Sequence, residues 1–185
     1  ITGSTGSGRQ PTAGTHHPQR HSDLYAYNAL AHRHAPEVAA LAQAATGVEA
    51  QFNFVPHSGP FARGIHVTLQ AVARQPISNH ELVAALRDYY DQSVFVRVAG
   101  DPPRVKDVVA SNFAQLSGVA HGDTVAVMCA IDNLTKGASG GALLSEGVRF
   151  CGACGLSVGA QRAGQARFAS PEKYTPQHLA EKILT

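Results

Sequence analysis

The chain has 185 residues, of which 44% are hydrophobic and 15% charged, with a formal net charge of +2. That is enough apolar material for one domain with a real core, plus an appendage, and the scattered Lys and Arg form no basic stripe that would point to nucleic acid. No apolar run approaches the roughly 20 residues that span a bilayer, neither end has signal-peptide form, and three cysteines do not build a disulfide scaffold, so a soluble, cytoplasmic protein is expected, with no nucleic-acid or membrane partner.

The start at Ile1, followed at once by the run Thr2–Gly8, reads as the middle of something, so a fragment is expected. The Gly/Ser run is either a flexible linker or a loop whose bare backbone approaches an anion. Ser22 is a plausible N-cap for a helix carrying Leu24, Tyr27, Leu30 and Ala31 inward. Pro36 at a first helical position, Glu37 in the first turn, and Val38, Leu41, Ala42 and Ala45 at helical spacing predict a second helix that Gly47 stops. Val48–Phe54 alternates apolar with polar residues, as does Ile65–Ala71, and each predicts a strand buried on one face.

Ser78 with Glu81 forms a capping box for a helix whose inward stripe is Leu82, Ala85, Leu86 and Tyr89. Val94–Val98 reads as a strand. Residues 113–120 and 123–131, joined at His121-Gly122, read as a hairpin, the second strand apolar enough to be central. The expected fold class is α+β, a mixed, largely antiparallel sheet covered by helices, with a short irregular or helical tail after a boundary near residue 144.

The stretch His32-Arg33-His34-Ala35-Pro36-Glu37 places two imidazoles and a carboxylate within six residues. Histidine titrates nearest neutrality, and a carboxylate beside it can fix its tautomer, so proton transfer is the chemistry this cluster suits. At a helix entrance the dipole lowers an imidazole pKa while Glu37 raises it. The loop containing His57 and Arg63 adds an imidazole and a guanidinium, an anion-binding pair held at a sheet rim. Ordinary surface histidines are the plain alternative. Zinc is the weaker rival, because His32 and His34, two apart, would point to different sides of a helix.

Six segments in order closely resemble the catalytic and dimerisation domain of the N-acetyl-gamma-glutamyl-phosphate reductases, of the aspartate-semialdehyde dehydrogenase superfamily. They are residues 2–8, Thr15-His16-His17-Pro18, Tyr25-Ala26-Tyr27, residues 32–37, Phe54-Val55-Pro56-His57 with Arg63-Gly64, and residues 130–140. The resemblance covers residues 1–142. It implies a glyceraldehyde-3-phosphate-dehydrogenase-like C-terminal domain and an NADPH-dependent reduction of an acyl phosphate to an aldehyde, through a cysteine thioester.

On that resemblance His34 or His32 is the acid/base with Glu37 as its orienter, and Arg63, with His57 or Arg20, holds the anionic substrate. Ser4, Gly6, Gly8, Asn133, Lys136 and Gly137 are the expected contacts to NADP(H), although Lys136 also reads as an ordinary solvated charge. A homodimer or tetramer is implied as well. The family's nucleotide-binding half and nucleophilic cysteine are expected upstream of Ile1, and Cys129, within an apolar strand, reads as an inert core residue. The 185-residue chain alone is therefore expected to be inactive.

Residues 143–185 read as an unrelated tail. Cys151 and Cys154 look like one knuckle of a zinc ribbon, and residues 168–185 are similar to the linker of some class III adenylate/guanylate cyclases. One Cys-x-x-Cys supplies two of zinc's four ligands, so no metal site is expected and Cys151 and Cys154 are weak candidates only. Two alternatives to the acetylglutamyl substrate remain: the aminoadipyl phosphate one carbon longer, which a methylene worth ~1–3 kcal/mol separates poorly, and a non-catalytic, reductase-derived scaffold with a zinc-ribbon tail.

Overall fold

The hairpin turning at Gly122, whose φ of 62° suits glycine, supplies the two central strands of the sheet. The computed structural model describes residues 1–137 apart from 9, 11 and 50. Its four-stranded sheet runs in the order β3 (Ile65–Val72), β6 (Thr124–Ile131), β5 (Ala114–His121), β4 (Val96–Val98). All pairs are antiparallel except β4 with β5. The mixed, largely antiparallel sheet matches the expectation.

Helix α3 (Asn79–Tyr90) starts at the capping box: Ser78 Oγ accepts from Glu81 N at 3.2 Å, and Glu81 Oε2 accepts from Ser78 N at 2.9 Å. It lies on the face shared by Leu116 and Gly118, where a side chain on Gly118 would meet Leu82 and Leu86. The inward stripe differs from the one expected. Leu82, Val83, Leu86 and Tyr90 are half-buried, whereas Ala85 is exposed and Tyr89 is 66% exposed. Beyond the reach of α3 the same face stays open over β3, leaving Val67 44% and Leu69 43% exposed.

Helix α2 (His34–Thr46) ends as expected at Gly47, whose φ of 71° is left-handed and whose N–H bonds Gln43 O at 2.8 Å. It begins earlier than expected, with Pro36 inside the first turn, where its missing N–H would have no partner in any case. No residue of α2 is buried, and Val38 and Leu41 are among the exposed apolar side chains. Among the described residues, covering of the sheet is thus the work of α3 and not of helices on all sides.

Two expectations fail. The helix capped by Ser22 does not form: Ser22, Asn28 and Leu30 have positive φ, and the segment is drawn into pairing with a distant one. Strand β1 (Tyr25–Ala26) pairs with β2 (His57–Ser58), while Tyr27 N bonds Pro56 O at 3.1 Å and Leu30 N bonds Phe54 O at 3.0 Å. Among the described residues of Val48–Phe54 the expected strand is also absent, because they join no ladder. Its alternation survives as burial alone, with Phe52 and Phe54 half-buried and Gln51, Asn53 and Val55 exposed.

Candidate functional site

The chain's first residues are sewn to the loop at 57–64. Thr2 N bonds His57 O at 2.8 Å, Gly59 N bonds Thr2 O at 2.9 Å, Gly3 N bonds Gly64 O at 2.8 Å, and Ser4 N bonds Phe61 O at 2.9 Å. A side chain at Gly3 would lie 2.7 Å from Ala62 O, so glycine there serves a backbone-on-backbone approach. Asn133 braces the join: its Oδ1 accepts from Gly64 N at 2.7 Å and its Nδ2 donates to Thr5 Oγ1 at 3.0 Å. Both polar ends of Asn133 are therefore engaged within the chain. Gly6 lies beside it, and Gly137 N closes the following turn onto Asp132 O at 2.9 Å.

Asp132, fully buried at the end of β6, carries this turn. Its Oδ1 accepts from Arg63 Nη2 at 3.0 Å, Leu134 N at 2.7 Å and Thr135 N at 2.8 Å, and its Oδ2 accepts from Ala110 N at 2.7 Å. Burial pushes the carboxyl up, but the hydrogen bonds from Ala110 N, Arg63, Thr135 N and Leu134 N outweigh it and hold the group well below the usual carboxylate range. The Arg63 charge is thus balanced inside the protein. Asp132 lies within the segment 130–140 that carries the family resemblance, and an acid following an apolar strand and preceding a turn is the sequence signal for this part.

The imidazoles form a second group. His32 precedes α2 rather than lying within it, so the two rings do not diverge as expected but meet edge to face, 4.8 Å apart. Tyr27 and Phe54 pack on His32 at 5.6 and 5.4 Å between ring centroids. His32 Nδ1 accepts from His34 N at 3.2 Å, which places the proton of the neutral ring on Nε2. Burial, then the neighbouring His34 and Arg33, lower the His32 pKa against a smaller upward pull from Glu37. His34 Nε2 stands 3.9 Å from Glu37 Oε2 and its side chain is half exposed. His57 donates from Nδ1 to Val55 O at 3.0 Å, leaving Nε2 as the acceptor of the neutral ring.

Arg20, expected at the substrate, is 6% exposed at the end of α1 (His17–Arg20). Its Nη2 donates to Thr2 O at 3.2 Å and Gly59 O at 3.1 Å. The guanidinium borders a cavity of about 180 Å³ with Ser4, Thr15, His21 and the wall Pro60–Ala62.

The structure therefore joins Ser4, Gly6, Arg20, His57, Arg63, Asn133 and Gly137 around the sewn loop, and gathers His32, His34 and Glu37 separately, the two groups linked by the pairing of residues 25–30 with 54–58. No hydrogen bond or ion pair among the described residues connects His32 or His34 to Arg63. Gly8, with φ of 85°, has open space around it, and Lys136 Nζ stands 5.9 Å from the Phe95 ring centroid. Burial raises the Cys129 thiol pKa, as suits an inert core residue. Cys151, Cys154 and the tail lie outside the described residues.

Residues 1–133 match the family model described as "Semialdehyde dehydrogenase, dimerisation domain", and the chain belongs to that family. Among curated relatives, it is 40% identical over 152 residues to an N-acetyl-gamma-glutamyl-phosphate reductase of Methanopyrus kandleri, covering 80% of this chain and 44% of that one. It is 37% identical over 151 residues to the enzyme of the same name from Phocaeicola vulgatus, covering 81% and 46%. The chain spans under half the length of these relatives. A structure of aspartate semialdehyde dehydrogenase II from Vibrio cholerae superposes with a TM-score of 0.45 at 16% identity, over 58% of this chain and 33% of that one.

Proposed function

We propose that the chain is the catalytic and dimerisation portion of an N-acetyl-gamma-glutamyl-phosphate reductase, a cytoplasmic oxidoreductase of arginine biosynthesis that takes an acyl phosphate to a semialdehyde. The observation that carries this reading is the match to reductases of that name at up to 40% identity over 80% of the chain. The family match spans residues 1–133, within which the fold ties residues 2–6 to 57–64 and to Asn133.

His34 is the better proton carrier of the pair, since its ring is half exposed beside the Glu37 carboxylate, whereas His32 is packed by Tyr27 and Phe54 and burial lowers its pKa. In this mechanism His34 takes the proton of an incoming thiol and returns one to the developing alkoxide, Glu37 stabilises the imidazolium, and His32 fixes the ring it packs against. Arg63 anchors its own loop against Asp132 and presents a partly exposed guanidinium edge to a carboxylate. NADPH, when bound, supplies the hydride. Half-buried Ser4 and exposed Gly6 and Gly8 fit it as a strip free of bulky side chains that Asn133 braces through Thr5, with Lys136 and Gly137 in the turn that follows Asn133. The open apolar face at Val67 and Leu69 favours a homodimer.

The test is NADPH-dependent reduction of N-acetyl-gamma-glutamyl phosphate by the protein in which this chain is joined to a nucleotide-binding half. His34→Ala is expected to lose about 10²- to 10⁴-fold in rate, and His32→Ala less. Full activity in both variants would overturn the assignment of roles, and no reduction of any acyl phosphate would overturn the enzyme.

A further inference from the structure

We propose that the stripe of α2 running from His34 through Val38, Leu41 and Ala45 is a docking surface for the segment of the full-length protein that carries the nucleophilic thiol. Spacings of four, three and four residues put these side chains on one side of the helix. The helix leans on the rest of the domain by another side, where Ala35, Ala39 and Ala42 are half-buried. Val38 and Leu41, its two largest apolar side chains, are instead 38% and 44% exposed. A helix held by its own domain turns such residues inward. Helix α2 turns in its alanines.

Nothing on the outer stripe makes its exposure favourable. Glu37 is the only acidic residue among the thirteen of α2, no lysine or arginine accompanies it, and it stands beside His34. A helix of this length with no fully buried side chain is marginal in water. Covering Val38 and Leu41 with a partner supplies the packing that the domain itself does not.

The occupant follows from the head of the stripe. The His34 ring is half exposed, and any surface seated on Val38, one turn further along, borders it. For His34 to take the proton of a thiol, the sulfur has to come within hydrogen-bond reach of the ring. Cys129, the free cysteine among the described residues, lies in β6 with burial raising its pKa, so a second copy of these residues brings no accessible thiol. The chain spans under half the length of its curated relatives, which leaves room for a segment that does. That segment presents an apolar patch to Val38 and Leu41 beside its cysteine, and keeps carboxylates off the stripe, where they would be buried unpaired. That the stripe takes a cover stands on α2 alone; that the cover brings the thiol rests on the reductase reading.

The experiment uses the protein in which this chain is joined to a nucleotide-binding half, with Val38→Cys, Leu41→Cys and, on the opposite side of α2, Gln43→Cys as single variants. Each is treated with N-ethylmaleimide and the modified peptide is followed by mass spectrometry. Val38→Cys and Leu41→Cys are expected to react about tenfold or more slowly than Gln43→Cys, whose side chain lies exposed on the far side. In a second arm Leu41→Asp puts a charge into the contact. The nucleophilic thiol is then expected to react about tenfold more slowly with iodoacetamide at neutral pH, because it has lost His34, while Gln43→Asp leaves that rate unchanged. Three results would overturn the proposal: equal labelling at all three positions, protection of Val38→Cys and Leu41→Cys that fades on dilution and so belongs to a second copy, or a thiol whose reactivity Leu41→Asp does not move. The labelling arm needs no turnover, so its failure leaves the reductase assay standing, and failure of that assay leaves the labelling result standing.

Discussion

Replacing Asp132 by Asn removes the charge at the centre of the turn while keeping its shape. One oxygen, Oδ1, serves Arg63, Leu134 and Thr135, and the other, Oδ2, serves Ala110 N. Asn retains a single acceptor, so its amide N–H₂ confronts either Ala110 N or the other three donors. Breaking one buried partnership of this kind costs ~3–5 kcal/mol. The Arg63 side chain is 32% exposed and can turn to water, which places the expected loss near the low end, about 3 kcal/mol. In a chain of this size that lowers the melting temperature by about 10 °C.

The pH dependence gives the test its edge. The folded-state pKa of Asp132 is depressed, so its contribution is fully present above the unfolded value near ~3.9 and drains away as pH falls toward the folded one. Urea midpoints of wild type and Asp132→Asn should stand apart by a constant amount above about pH 5 and converge as the pH falls below about 4. A gap that persists unchanged at acid pH would refute the carboxylate argument, and a loss under ~1 kcal/mol would show that the hydrogen bonds carry no more than a typical neutral set.

Gly64 has φ of 113°, and a side chain there would overlap Val105 Cγ1, so Gly64→Ala should cost ~3 kcal/mol or more and yield little folded protein, measured by thermal melting of the soluble fraction. Gly118→Ala would press within 2.8 Å of Leu82 Cδ2 and should cost ~1–3 kcal/mol, but clearly less in a Leu82→Ala background, where Leu86 Cδ1 at 3.2 Å is the close neighbour left, a coupling that a double-mutant cycle reads directly. Gly47→Ala meets nothing within 4 Å, so only the left-handed backbone penalises it, by about 1 kcal/mol. Because no residue of α2 is buried, this loss should appear as faster amide exchange within α2 while the global melting temperature holds.

Features legible from the chain alone are those decided within about one helical turn. The capping box at Ser78 and Glu81, the stop at Gly47 and the turn at Gly122 each satisfy or permit backbone groups a few residues away, and the structure keeps all of them. The run of apolar residues in β6 marked it as central, and in the structure it pairs with β3 on one edge and β5 on the other.

What lay beyond local reach was decided by partners far along the chain. Residues 22–31 carried a helical pattern, but pairing with residues 54–58 satisfied their backbone in another way. Val48–Phe54 alternated like a strand, yet its described residues join no ladder, and only Phe54 at its end takes a backbone bond, from Leu30. Arg20 and Arg63 are indistinguishable as letters. Only the folded chain sets one against Asp132, sixty-nine residues away, and leaves the other buried with two backbone carbonyls and an open cavity, because charge balance is settled by distances that no spacing in the sequence encodes.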